Sequence, residues 1–273
     1  MALSLEDIRR TAVLMRRQIV TMAAHGKTSH VGSALSCVEI LAVLYFKIMN
    51  ITANNWKSAQ ADRFILSKGH GAKAWYAALA QAGFFPQEWL EHYAVDGHHL
   101  GEHPSHDGVP GIVLSTGSLG HGLSVASGMA LARKMDGLTS KVFVVLSDGE
   151  CNEGSVWEAA MCAAHQNLDN LIVVVDDNGW QALGRSREVN ALEPFQDKWA
   201  AFGWETAQVD GHDLEALAQV LSQMAARPGK PKVVIARTCL GRGVSFMEDD
   251  LLWHYQIPSM EQWHRAMEEL KIS

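Results

Sequence analysis

A chain of 273 residues that is 48% hydrophobic can bury a sizeable core, and it suits one large globular domain or two small ones. The formal net charge of −7, with no basic block, argues against a nucleic-acid surface, and the longest apolar stretch ("ILAVLYF", Ile40–Phe46) is far too short for a membrane helix. The N-terminus "MALSLEDIRR" carries acids and no apolar core, so it does not read as a secretory signal; Cys37, Cys151, Cys162 and Cys239 form no CxxC pair and read as reduced thiols of a cytoplasmic protein.

Ser4 followed by Asp7 resembles a capping box, and Ile8, Ala12, Met15, Ile19 and Ala23 then recur at helical spacing. A second helix is expected over Ala34–Met49. The strand Arg63–Ser67 runs into "KGHG" and a helix over Ala72–Ala82. Residues 95–118 are polar, rich in Gly and His and without periodicity; a loop that long inside a compact domain is usually functional or disordered. A helix over Gly120–Lys134 follows. Strand Val142–Leu146, helix Ser155–Gln166, strand Leu171–Asp176, helix Pro194–Phe202, strand Glu205–Val209, helix Leu214–Ala226 and strand Lys232–Ala236 then alternate, and a last helix covers Met260–Leu270. Apolar strands in β-α alternation predict an α/β fold, a parallel sheet with helices on both faces. No repeat or linker divides the chain, so residues 1–273 read as one domain.

Asp148 and Asn178 each stand just past a strand, 178 − 148 = 30 residues apart, enough for one β-α-β crossover. In open parallel sheets ligands sit beyond the carboxyl ends of the strands. If the two strands are neighbours, a carboxylate and an amide oxygen emerge side by side as hard ligands suited to Mg²⁺. Gly149 and Gly154 would let a diphosphate approach the backbone, and a helix starting near Ser155 would offer free N–H groups. Taken singly, "SDG" and "DNG" are ordinary turn dipeptides; their placement at consecutive strand ends favours a site.

This spacing resembles the thiamine diphosphate-binding motif, with Ser147 in place of its first glycine. Seven blocks, in order, are similar to the diphosphate-binding domain of transketolase: "SHVGSALSCVEILAVLY", "DRFILSKGHGAKAWYAAL", "GEHPS", "STGSLGHGLSVASGMALA", "SDGECNEGSVWEAA", "DDNGWQALG" and "VDGHD". The resemblance implies that Asp148, Asn178 and the Trp180 carbonyl hold Mg²⁺. It implies that Gly149, Glu150 and His70 line the diphosphate, and that Gly117, Ser118 and Leu119 pass beside the aminopyrimidine. It points His30, His103 and His254 at the substrate, and gives Glu153 a place in a buried carboxylate contact between two active-site halves. Histidine titrates near neutrality and can move protons on and off hydroxyls or bond a developing oxyanion.

The other histidines read differently. His92, His98, His99 and His106 read as loop residues, and "HHLGEHPSH" lacks the cysteines or closed four-ligand pattern of a zinc site. His25, His165 and His264 fall on helices; His121 and His212 stay open. The family's activating glutamate lies in a second domain that this sequence does not show. The resemblance therefore implies the N-terminal subunit of a split transketolase that passes a two-carbon ketol unit between sugars. It would be completed by a C-terminal partner chain in a two-plus-two assembly. A non-catalytic cofactor-binding paralogue and the alpha chain of a 2-oxo-acid decarboxylase remain alternatives. The helix "GHGLSVASGMALARK" is rich in small residues, which suits either a buried interface with another chain or tight packing on its own sheet.

Overall fold

The computed structural model describes residues 3–271. Helix α1 (Leu5–His25) begins at Ser4, whose hydroxyl accepts from the Asp7 N–H at 3.1 Å and donates to the Asp7 carboxylate at 2.6 Å. The expected helix over Ala34–Met49 is instead α2 (Val31–Ser36), α3 (Val38–Val43) and a π-helical turn over Leu44–Ile48. The break falls at Cys37. There the Ser36 hydroxyl, 3.1 Å from the Ser33 carbonyl, also reaches Asp176 Oδ2 at 2.6 Å, a side-chain alternative that competes with regular helix geometry.

Strand β1 (Arg63–Leu66) is followed by α4 (Ala72–Gln81), the irregular segment 95–118, and α5 (His121–Met135). Then come β2 (Val142–Ser147), α6 (Gly154–His165), β3 (Leu171–Asp177) and a short hairpin, β4 (Trp180–Gln181) with β5 (Gly184–Arg185), that periodicity did not reveal. The chain continues through α7 (Ser186–Val189), α8 (Phe195–Ala201), β6 (Glu205–Asp210), α9 (Leu214–Ala226) and β7 (Lys232–Arg237). It closes with α10 (Leu252–Tyr255) and α11 (Met260–Glu269), the latter started by a full Ser259–Gln262 capping box.

The five long strands form one parallel sheet in the order β1-β2-β3-β7-β6. Strand side chains alternate between two cores. Phe143, Val145, Ile172, Val174 and Val234 meet α1 to α4 and α9, whereas Val144, Leu146, Val173, Val175 and Ile235 meet α5, α6 and α8. Both faces are therefore apolar, which is why these strands read as continuous hydrophobic runs. Edge strand β6 is the exception, with half-exposed residues along its length.

β2 and β3 are neighbours, and Ser147 pairs with Asp176, so the segments after them emerge side by side. These ends are tied by a buried cluster. The Asp176 carboxylate accepts from Ser36, Lys68 and Thr238, which brings together α2 and the ends of β1, β3 and β7. The Lys68 and Asp176 side chains are both 0% exposed. Removing one member of such a pair strands a charge in the interior, at a cost of about 3–5 kcal/mol, whereas replacing both by apolar groups of similar volume costs far less. Asp176→Ala is thus expected to lose about 3–5 kcal/mol in urea denaturation, with Lys68→Met/Asp176→Leu recovering most of the loss. Equal stability of Asp176→Ala and the parent would show that the pair carries no such constraint.

Candidate active site

Three neighbouring strands deliver the site. Past β1 come Lys68, Gly69 and His70; past β2, Asp148 and Gly149; past β3, Asn178 and Trp180. Loop 115–120 lies on the first of these turns. A Cβ at Gly69 would sit 2.8 Å from the Thr116 and Gly117 backbone, so only glycine allows that approach. The Thr116 hydroxyl donates to the Leu66 carbonyl at 2.8 Å and fixes the loop's height above the sheet.

Asp148 is fully buried. Its Oδ2 accepts from the Ser186 hydroxyl at 2.6 Å, while Oδ1 has no hydrogen-bond partner. Burial, with Asp177 and Asp176 adding to it and Ser186 opposing, pushes its pKa up to about 7. The Asn178 amide oxygen accepts from the Trp180 N–H at 3.0 Å, and its amide nitrogen stands 3.5 Å from both Ser36 Oγ and Asp176 Oδ2. Beside Gly149 lies Gln181: a Cβ on that glycine would be 2.8 Å from Gln181 Cγ, and Gln181 Nε2 is buried without an acceptor. An orphaned acceptor and an orphaned donor flanking Asp148 and Gly149 fit a divalent cation carrying a diphosphate. One carboxylate and amide or carbonyl oxygens form a hard-donor set that suits Mg²⁺, and among the described residues no group of three His, Cys, Asp or Glu side chains competes as a softer metal site.

The turn of hairpin β4–β5 is fastened from the other side. The Arg185 guanidinium stacks on the Trp180 ring at 3.7 Å and bonds both Asp249 oxygens at 2.6 Å, and the Trp180 indole also donates to Asp249, at 2.9 Å. The Tyr255 hydroxyl donates to the Ala182 carbonyl. The segment that carries His254 is thereby joined to the segment that carries Trp180.

His30, His70 and His254 form a cluster with ring centroids 5.1 to 5.7 Å apart. Burial, reinforced by His254, Lys73, His103 and Lys68, lowers His30 to about 4. Burial and Lys68 lower His254 to about 4, and burial with Lys68 holds His70 well below its usual range. All three are therefore neutral imidazoles at neutral pH. His30 has a left-handed backbone (φ 62°, ψ 25°), a conformation that costs a non-glycine residue about 1–3 kcal/mol and persists only when its surroundings enforce it. Its N–H donates to the His254 carbonyl at 3.1 Å. His103 is exposed, and its ring lies against Gly117, where a Cβ would be 3.1 Å from the His103 Cδ2.

Gly117 and Ser118 are exposed and Leu119 is half-buried, so this stretch borders open space. Glu153 is exposed at the start of α6. Glu150 departs from the expectation that it lines a diphosphate. Its carboxylate is fully buried and accepts from the Ser67 hydroxyl, the Gly120 N–H at 2.8 Å and the Ser147 N–H at 3.3 Å. It joins three site loops, and both of its oxygens already accept from the protein.

The histidines outside this cluster are elsewhere. His92 and His98 stack on each other and His99 on Trp89, all exposed. His212 is structural: it lies 3.1 Å from Glu39 Oε2 and accepts the Cys239 N–H at 2.8 Å. Sequence reasoning missed Lys68, Asp176, Gln181 and Ser186. Asp176 did carry a signal, as a charge within an apolar strand end, and Lys68 a weaker one, as a charge two residues past another such end. Gln181 and Ser186 carried none, because the hairpin that places them is too short for a period.

Residues 8–254 match the family model described as transketolase, thiamine diphosphate binding domain. The chain is 41% identical over 270 residues to a subunit of the apulose-4-phosphate transketolase of Actinobacillus succinogenes, covering 98% of each. It is 42% identical over 267 residues to 6-deoxy-6-sulfo-D-fructose transketolase subunit SqwG of a Clostridium species, covering 97% of this chain and 96% of that one. Among solved structures, transketolase from Leishmania mexicana superposes with a TM-score of 0.90 at 27% identity, and transketolase from Campylobacter jejuni with a TM-score of 0.92 at 25% identity. This chain is covered to 99% and 98% in those superpositions but spans only 42% and 43% of the solved chains. The chain belongs to the transketolase family of transferases and corresponds to its thiamine diphosphate-binding domain.

Proposed function

We propose that this chain is the diphosphate- and Mg²⁺-binding subunit of a two-chain transketolase that transfers a two-carbon ketol unit from a ketose to an aldose. The observation that carries the reading is the unpartnered Asp148 oxygen, set beside Asn178 at neighbouring strand ends of a chain that also gathers three neutral imidazoles. Asp148, Asn178 and the Trp180 carbonyl would hold the cation, with Gly149, Gln181 and His70 toward the diphosphate and Gly117 to Leu119 along the aminopyrimidine. Bound thiamine diphosphate supplies the carbon nucleophile and electron sink for breaking and remaking a bond beside a carbonyl. The protein's part is position and proton traffic. His30, His103 and His254 hold or move protons at the sugar's hydroxyl and alkoxide oxygens, and His30 and His254, being neutral, can each accept a proton as well as donate one.

Two relatives that the chain matches almost end to end carry names that make each one subunit of a transketolase, which supports a partner chain carrying the pyrimidine-binding domain. The exposed stretch Gly117–Ser118, Glu153 and one face of α5 (Ser124, Val125, Gly128) are the surfaces we assign to chain contacts in a two-plus-two assembly; the opposite face of α5 packs on its own sheet. The relatives' names give one sugar phosphate and one sulfo sugar, and a ketose with an anionic end is the substrate class we assign. Among the described residues no helix is long and apolar enough to cross a membrane, and the four free thiols suit the cytoplasmic setting we propose.

Asp148→Ala should abolish Mg²⁺-dependent thiamine diphosphate binding in calorimetry and leave the circular dichroism spectrum unchanged. Unchanged binding would remove the metal assignment. The same residue sets a pH dependence. With a pKa raised to about 7, Asp148 is protonated below that pH in the metal-free chain, and the cation must displace the proton. Affinity should fall as pH drops through 7, by on the order of tenfold per unit, and level off above it. An affinity equal at pH 6 and pH 8 would contradict this.

His30→Ala and His103→Ala should each lower turnover of the assembled enzyme by on the order of 10²–10⁴-fold with little change in cofactor affinity. Activity equal to the parent would exclude them from the reaction. A ketol-transfer assay on the purified chain alone, with cofactor and Mg²⁺ in excess, is expected to show no turnover until the partner is added. Substantial turnover with a single polypeptide on the gel would end the two-chain reading.

A further inference from the structure

We infer that Lys73, Tyr76 and Tyr93 form a buried platform whose role is to position the two histidine-bearing segments, those of His30 and His103, for the proposed reaction. The inference rests on the reading of those histidines as substrate-facing groups.

Lys73 and Tyr76 are three residues apart on α4 and so share one of its faces. Lys73 is 1% exposed and Tyr76 0%. The Lys73 ammonium donates to the Ser29 carbonyl at 2.7 Å and lies 3.2 Å from the Tyr93 hydroxyl, with the Tyr93 ring 5.1 Å away. The Tyr76 hydroxyl donates to the His103 carbonyl at 3.0 Å. The Tyr76 and Tyr93 rings meet at 6.1 Å, which makes the three side chains one unit. Tyr93 is itself wedged against the end of α1, where a Cβ on Gly26 would be 2.9 Å from its ring.

Lys73 is costly where it stands. Its hydrogen-bond partners are neutral oxygens, and burial, opposed in part by Glu102, lowers its pKa to about 8. A methionine of similar length would fill the space without a desolvated charge. What the ammonium does there is hold the carbonyl immediately before His30, whose left-handed backbone needs enforcement. The His254 carbonyl holds the N–H on the other side of that peptide. His103 has the opposite problem: it sits exposed in the irregular segment 95–118, and Tyr76 anchors its peptide to a rigid helix. One helix face thus sets the height of both imidazoles. The cofactor side (Asp148, Asn178, His70) receives no hydrogen bond from the platform.

The test uses Tyr76→Phe, which removes one hydroxyl, and Lys73→Met in the complex with the partner subunit. Each should lower kcat by on the order of tenfold to a hundredfold, the scale of a misplaced catalytic group, with thiamine diphosphate affinity unchanged. Tyr76→Phe should add nothing on a His103→Ala background, and Lys73→Met nothing on a His30→Ala background; effects that multiply would overturn the inference. Imidazole signals of the ¹³C-histidine-labelled chain give a readout without turnover. Tyr76→Phe should shift or broaden His103, Lys73→Met should do so to His30, and His165 and His264 should stay in place. Unmoved His30 and His103 signals would overturn the platform. Moved signals, together with full turnover in His103→Ala, would uphold the platform and remove that histidine from the reaction.

Discussion

The buried pair of Lys68 and Asp176 is the constraint on which the site depends. The sheet order puts β2 between the strands that carry them, so the pair reaches across the end of β2, where Asp148 emerges. Burial alone would lower the Lys68 pKa; Asp176, with smaller help from Cys37 and Asp148, raises it, so the ammonium stays charged. Its donors go to Asp176 and to the Ser33 carbonyl at 2.8 Å. Asp148, in the same interior, is left with the Ser186 hydroxyl as its side-chain partner. A carboxyl that is buried, half-satisfied and denied the nearby cation is prepared to take one from outside. The same lysine acts on the imidazoles. Its charge helps to hold His30, His70 and His254 in the neutral form. The buried ion pair therefore adds to burial in both places: Asp176 helps to raise the Asp148 pKa, and Lys68 helps to lower those of the three histidines.

Steric limits complete what that charge arrangement begins. Gly69 admits the 116–117 backbone, and a Cβ at Gly122 would come 2.2 Å from the Ser67 hydroxyl. Glu150 then stitches Ser67, Gly120 and Ser147 together from beneath. Loop 115–120 is irregular and lies partly at the surface, yet its position is fixed by close backbone contact with the β1 turn and by a carboxylate whose every oxygen is in use. Rigid support under an exposed loop is what a ligand-positioning segment requires.

These particulars explain what the sequence made legible. Apolar strand runs and their spacing predict the sheet and its two covered faces, because both faces are buried and local pattern coincides with tertiary fate. Asp148 and Asn178 could be placed at strand ends because β2 and β3 are long. The failures have a common cause, competition from side chains distant in sequence. The break at Cys37 follows from the contact between Ser36 and Asp176, 140 residues apart. The β4–β5 hairpin has two residues per strand and is held by Asp249 and Tyr255 rather than by any period of its own. The resemblance placed Glu150 along the diphosphate, whereas its carboxylate meets Ser67 and Gly120, which come from other segments. Periodicity reports on burial; it does not report which polar atoms meet in the interior.

The two halves of the site are supported in different ways, and the difference follows from their chemistry. The half we propose for the cation and diphosphate is built on strand ends, where backbone spacing is fixed by the ladder and donors need little adjustment. The half we propose for proton handling calls for imidazoles with a ring nitrogen left for a substrate, which holding a residue by its backbone allows. That is the pattern observed: Ser29, His30 and His103 are tethered through carbonyls and N–H groups to Lys73, His254 and Tyr76, and His30 Nδ1 is left without a partner. A histidine tied down at both ring nitrogens would have none left for a proton; His254 has one ring contact, Nδ1 at 3.5 Å from Ser33 Oγ. Anchoring the main chain while sparing the ring gives precise placement without consuming the groups that carry the proton.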